Sequence, residues 1–161
     1  MIKNWRRWGL AALACGMVGS AHANPSMLKS FKFNQPSFLQ QHPFAHAHVV
    51  IQVDQNKPKR WTLVLNNVQN MLDYMGPDKI QIVVVAFGPG LNMLLAHSPD
   101  AKRIESMAAE GVEFDACHNT MEAMARKLGH MPVLLPQPVI VPAGVIRIVQ
   151  LEQHGFAYIK P

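Results

Sequence analysis

Cysteine is nearly absent from this chain. Its 161 residues hold two, Cys15 and Cys117, and the first lies in a segment that reads as a leader, so the mature protein can build no disulfide framework. Apolar runs long enough to cross a bilayer, which takes about 20 residues, are also missing. Few Lys or Arg residues cluster beyond the first residues, and internal repeats and low-complexity tracts are absent. What remains is a chain with the composition of one ordinary globular domain.

The start has its own character. Lys3, Arg6 and Arg7 precede the small and apolar run "GLAALACGMVGS", and "AHA" follows before Asn24. A basic segment, a short apolar segment and a small-x-small site form the layout of a secretory signal peptide, here residues 1–23 with cleavage after Ala23. Two rival layouts fit less well. Arg6–Arg7 lacks the flanking residues of a twin-arginine signal. A lipoprotein site at Cys15 would have Ala12 where Leu is preferred and a very short apolar core. The leader carries three of the 15 basic residues and none of the 10 acidic ones, so the remaining 138 residues hold 12 basic against 10 acidic groups, a formal +2. Binding nucleic acid needs a basic stripe that this surface lacks. The expected location is the periplasm, free of the membrane once the leader is removed.

Residues 24–45 read as an irregular arm. Phe31, Phe33, Phe38 and Phe44 lie there, interrupted by Pro25, Pro36 and Pro43, so these rings pack on the domain or on a neighbouring subunit. Residues 46–161 read as the folded domain. "HAHVVIQVD" (46–54) is short and β-branched, hence a strand. Pro58 opens a helix in which Trp61, Val64, Leu65, Val68, Met71, Leu72 and Met75 make one apolar face, stopped by Gly76 and Pro77. "KIQIVVVAF" (79–87) has the apolar centre of a strand covered on both faces. A short apolar turn or helix at 91–97 follows, then a helix capped at Ser98 with Pro99 in its first turn. "VEFDAC" (112–117) is the third strand. Asn119 with Glu122 suggests a capping box for the next helix, closed by Gly129. A short strand at 139–141, a helix at 142–154 and the strand "FAYIK" complete the pattern. This alternation predicts a single three-layer α/β domain, flavodoxin-like, with a mostly parallel sheet of about five strands.

In such sheets the reactive site lies at the carboxyl ends of the strands. Cys117 falls there, just ahead of a helix N-terminus, where free N–H groups and the helix dipole favour an anion and so the nucleophilic thiolate. Glu122 opposes this and His118 could assist it. The other reading of Cys117 is a small buried hydrophobe. A cysteine hydrolase needs an oriented base, which nothing in the sequence marks. A dithiol shuttle needs a second Cys. Accepting one sulfur atom as a persulfide and passing it on needs neither.

The segments "VVIQV", "IQIVVVAFGPGLNMLL", "GVEFDACHNTM" and "GVIRIVQLEQHGFAYIKP", spanning 49–161, resemble the DsrE/DsrF-like proteins of bacterial sulfur metabolism. "ACHNTM" is the most specific piece, because the family's sulfur-carrying cysteine lies in such a segment and Cys117 matches it. The resemblance implies a flavodoxin-like subunit, a trimeric or hexameric homo-oligomer, and sulfur transfer through a persulfide on Cys117, with no cofactor. The partners would be sulfur donor and acceptor proteins or small sulfur compounds. The family's better-known members work in the cytoplasm, so an exported chain would meet different ones. His118, Asn119 and Thr120 would support the sulfur, and the turn from Gly88 to Gly90 would shape the approach.

Three further features carry competing readings. Gly88-Pro89-Gly90 could suggest a phosphate loop, but Met93 stands at the third glycine position and no Lys follows, so a tight turn is the better reading. His46 and His48, two apart on an extended segment and near His42, offer a weak copper site, since imidazole and the chain's thioethers both suit a soft metal. Met71, Met75, Met107 and Met124 sit on apolar helix faces and read as core. The apolar, proline-interrupted stretch 131–141 either lies under the last helix or contacts another subunit. The alternative to sulfur trafficking is a non-catalytic oligomeric or metal-binding protein in which Cys117 is inert.

Overall fold

The computed structural model describes residues 23–161. Apart from Ala23 the leader, with Cys15, lies outside the described residues. The elements run β1 (Ala47–Val53), α1 (Pro58–Met75), β2 (Ile80–Ala86), a 3-10 helix (Gly88–Leu94), α2 (Ala101–Ala109), β3 (Glu113–Cys117), α3 (His118–Leu128), β4 (Val139–Val141), α4 (Gly144–Gln153) and β5 (Ala157–Ile159). The five strands form one parallel sheet in the order β4-β3-β2-β1-β5. No helix among the described residues is long and apolar enough to cross a membrane.

The local sequence explains these elements. All seven residues of β2, IQIVVVA, are buried, as a strand covered on both faces requires. Pro58 opens α1, and Trp61, Val64, Leu65, Val68 and Leu72 are buried along one side. Burying each large aliphatic side chain contributes about 1.5–3 kcal/mol. Gly76 ends the helix and donates its N–H to Leu72 O at 2.8 Å. Met107 is buried, while Met71, Met75 and Met124 pack at the margin of the same core.

Strand order dictates which face each helix covers. The steps from β1 to β2, β3 and β4 all move one way along the sheet, and right-handed crossovers then put their helices on one face. There Val49, Ile51, Ile82, Val84 and Phe114 pack with side chains of α1, α2, the 3-10 helix and α3. The return from β4 to β5 moves the other way, so α4 lies on the opposite face, where Ile148 and Leu151 pack with Val50, Val83, Val85 and Phe156.

Helix α4 shares that face with the arm, of which Phe31 and Phe38 pack on their own domain. Phe38 stacks on Phe156 with ring centroids 5.6 Å apart, and Phe31 joins Met27, Val139 and Val141. Phe44, at 77% exposure, packs on neither. The arm begins with a parallel bridge from Ser26 to Ile140; Met27 N donates to Ile140 O and Ile140 N to Pro25 O, both at 2.8 Å.

Several helix starts differ from the sequence-based expectation. Helix α2 begins at Ala101: Ser98 Oγ accepts from Asp100 N at 3.3 Å, so Ser98 forms a turn before the helix instead of capping it. Helix α3 begins at His118 with Cys117 itself in the cap position and no side-chain cap bond. Asn119 is already inside the helix, and its N–H donates to Pro142 O at 3.2 Å; a backbone carbonyl from beyond β4 serves that donor, and no capping box forms. Helix α4 starts at Gly144, because the chain bends at Pro142 and Ala143 is still extended.

Gly90 carries a packing constraint. A Cβ there would sit 2.1 Å from the Val53 carbonyl oxygen, so the 3-10 helix can lie against the end of β1 only if this residue has no side chain. We expect Gly90→Ala to cost at least about 3 kcal/mol, beyond ordinary overpacking. Gly129→Ala, where φ is 79° with open space around it, should cost about 1–2 kcal/mol for left-handed backbone alone. Urea unfolding of both variants checks the ranking.

Candidate functional site at the carboxyl ends of β3 and β4

Adjacent strands β3 and β4 send their following helices to opposite faces, α3 to one and α4 to the other. This is the switch point where open α/β sheets form a crevice. Cys117 is the last residue of β3, paired in register with Val141, the last of β4. The bond from Asn119 N to Pro142 O spans the gap between the two strand ends.

Alternation along β3 puts Phe114 and Ala116 in the core shared with α1, α2 and α3. Glu113, Asp115 and Cys117 therefore point to the face covered by α4 and the arm. Beside Cys117, the sheet places Val141 on one side. On the other is Phe87, which follows the Ala86–Ala116 pair. Gly144, the first residue of α4, lies so close to Phe87 that a Cβ on it would come 3.0 Å from the Phe87 Cβ. Cys117 is thus a free thiol roofed by these groups, buried at 5% exposure. Of the two readings the sequence offered, a reactive thiol and a small buried hydrophobe, this burial fits the second directly.

The supporting residues divide. Thr120 Oγ1 accepts from Gly88 N at 2.9 Å, joining α3 to the glycine turn beside an open hollow of about 360 Å³ lined by Gly88, Pro89, Asn92, Thr120, Met124 and Lys127 among others. Gly90 is buried against Val53. His118 pairs loosely with Glu122, Nδ1 to Oε1 at 3.9 Å, and Asn119 is exposed. The glycine turn is part of a 3-10 helix and no phosphate cradle. His48 packs edge-on against Phe156, centroids 5.2 Å apart, while His46 is exposed and His42 Nε2 lies 3.1 Å from Gly111 O. Among the described residues no group of three or more His, Cys, Asp or Glu side chains could hold a metal ion.

What the sequence reading missed is a buried charge cluster on the Cys117 side of β3. Arg147 is fully buried. Its Nε donates to Asp115 Oδ2 at 2.9 Å and its Nη2 to Glu113 Oε1 at 2.8 Å. Two further N–H groups reach Gln150 Oε1 and Ser37 O, and its guanidinium lies 5.0 Å over the Phe38 ring. Glu113 Oε2 accepts from Leu39 N, and Gln150 Nε2 donates to Lys32 O and Phe33 O. The signals were an arginine at the centre of the apolar "GVIRIVQL" and acidic residues at alternate positions of a strand.

Two carboxyls share one cation, and Asp115 Oδ1 is buried with no partner. Burial raises the Asp115 carboxyl well above the ordinary range, the Glu113 charge adds to this, and Arg147 opposes it.

No family model matches the chain, and no curated protein does. Among solved structures, the protein of unknown function MTH1491 from Methanobacterium thermoautotrophicum is similar, with TM-score 0.65 and 32% sequence identity over 71% of this chain and 99% of that one. The chain belongs to the MTH1491 family. Fold similarity at this level fits the parallel three-layer architecture. The MTH1491 protein brings no activity with it, so the chemistry must be argued from the side chains.

The Asp115 shift gives a signed prediction. Because the folded carboxyl holds its proton to higher pH than the unfolded one, its contribution to stability is fully present below the ordinary Asp value of 3.8. That contribution is lost as pH rises through the higher folded value. Asp115→Asn should flatten this part of the slope, measured as urea midpoints between acid and neutral pH. An unchanged slope would mean that Asp115 is ionised in the folded protein.

Proposed function

We propose that the protein carries sulfane sulfur as a persulfide on Cys117, in the exported compartment that residues 1–23 imply. The observation behind this reading is the position of the chain's one described thiol, at the switch-point end of β3 and at the N-terminus of α3. A helix N-terminus favours a neighbouring anion, such as a terminal persulfide. The resemblance of "ACHNTM" to the sulfur-carrying segment of DsrE/DsrF-like proteins supports the same chemistry.

The transfer needs no cofactor. The Cys117 thiolate attacks the outer sulfur of a donor such as thiosulfate; the new S–S bond forms as the old one breaks, and sulfite leaves with the electron pair. An acceptor thiolate then takes the outer sulfur and releases the Cys117 thiolate. Because Cys117 is only 5% exposed, loading requires the start of α4 or the arm to lift, so it should be slow. The same burial favours a second reading, in which the thiol only packs.

Loading can be followed on the full chain carrying Cys15→Ser. Incubation with thiosulfate or polysulfide should add one sulfur mass that a reductant removes and Cys117→Ala abolishes. Mild urea should accelerate it. An unloaded protein whose thiol resists alkylation until unfolding establishes the packing reading.

A homo-oligomer is part of the proposal. Val145, Ile146 and Val149 make an exposed apolar stripe on α4, and Met131 and Val133 are exposed on the stretch before β4. That stretch is anchored by Leu134 and Leu135, and runs beside Leu94–Ala96 instead of under α4. Light scattering should give a trimer or hexamer that Val145→Glu with Val149→Lys dissociates. A monomeric parent chain removes the assembly from the proposal.

A further inference from the structure

The hollow beside Thr120 belongs neither to the core nor to the thiol. It lies between the 3-10 helix and α3, whose apolar residues pack on the sheet face shared with α1 and α2. Cys117 points to the other face, under α4. The hollow opens at the carboxyl ends of β2 and β3, the margin of an α/β sheet where ligands are taken. Its volume of about 360 Å³ is that of a small-molecule site. The bond from Gly88 N to Thr120 Oγ1, at 2.9 Å, joins its two walls, and Gly90 is held against Val53. The shape is therefore set before any ligand arrives.

The lining has a consistent chemistry. Pro89, Ala123 and Met124 supply apolar surface, and the methylene stem of Lys127 extends it. A thioether makes favourable contact with an aromatic ring. The polar side chains have hydrogens to give. Thr120 Oγ1 accepts from Gly88 N, which leaves its own O–H to donate. Asn92 Nδ2 gives one hydrogen to Pro89 O at 2.9 Å and carries a second. Lys127 is exposed and forms no ion pair among the described residues. No acidic side chain is part of the lining.

The geometry points to a binding site for a small aromatic acid: its carboxylate is held by Lys127, Thr120 and Asn92, and its ring lies against Pro89, Ala123 and Met124. A carboxylate only accepts hydrogen bonds, which suits a lining with one cation and no anion. An amine or a metal ion would meet Lys127 as a like charge. Because that ammonium is exposed, its contribution is screened and binding is weak, of roughly millimolar strength. The site needs nothing from the thiol chemistry.

Amide NMR of the full chain carrying Cys15→Ser reads the site directly, with benzoate as the probe. The Gly88, Asn92, Thr120 and Met124 signals should move together and saturate. Benzamide has the same shape without the charge, and acetate the charge without the ring; each should bind at least about tenfold more weakly. Lys127→Gln should weaken benzoate about tenfold and leave benzamide unchanged, a pattern that a general loss of structure would not give. Cys117→Ala should bind benzoate as the parent does, which keeps the outcome separate from that of sulfur loading. Equal affinity for benzoate and benzamide, shifts scattered over the surface without saturation, or an unaffected Lys127→Gln variant overturns the proposal. So do signals that move with protein concentration alone, because a second copy then fills the hollow.

Discussion

The guanidinium of Arg147 is the interaction on which one whole layer depends. It ties α4 to β3 through Asp115 and Glu113, and ties the arm to both through Ser37 O and the Phe38 ring. The face it occupies has a small apolar cluster, much smaller than the one under α1 and α2. An irregular arm cannot satisfy its own carbonyls by regular pairing. Arg147 and Gln150 accept that task, supplying donors to Lys32, Phe33 and Ser37. Removing the cation alone would strand two buried carboxyls, a change that in comparable sites costs about 3–5 kcal/mol.

Topology and chemistry meet at one strand end. Because the chain steps steadily from β1 to β4 and then returns to β5, only β3 and β4 send their helices to opposite faces. A crevice follows from that reversal alone. Cys117 stands at it as a consequence of register, and the roof over it is a consequence of where α4 must begin to cross back over the sheet. Access to the sulfur is therefore tied to the layer on that face, which α4 and the arm share.

Much of the architecture was legible in the residues. The seven-residue apolar run of β2 and the spaced face of α1 are governed by burial, which leaves a periodic mark. Helix starts were less legible: at Ser98 and Asn119 the side chain suits a cap, yet a turn and a carbonyl from Pro142 serve the local donors instead. Such tertiary partners leave no trace nearby in sequence. For the site, the position of Cys117 at a strand end could be read, but its burial could not, because its neighbours Phe87 and Val141 come from two other strand ends distant in sequence. The Glu113–Asp115–Arg147 cluster joins residues more than 30 apart, so only the oddity of an arginine in an apolar helix hinted at it.

The first residues of the arm have a consequence for assembly. Asn24 Nδ2 donates to Leu135 O, Pro136 O and Pro138 O, and the backbone beyond it fills the outer hydrogen-bonding positions of Ile140. One margin of the sheet is thus sealed by the chain itself. At the other margin β5 is three residues long and is followed by Lys160, so it offers a poor template for a foreign strand. Copies of this protein that associate are therefore steered away from continuous-sheet growth and toward contact through helical faces, where the symmetry of the contact sets whether the assembly closes.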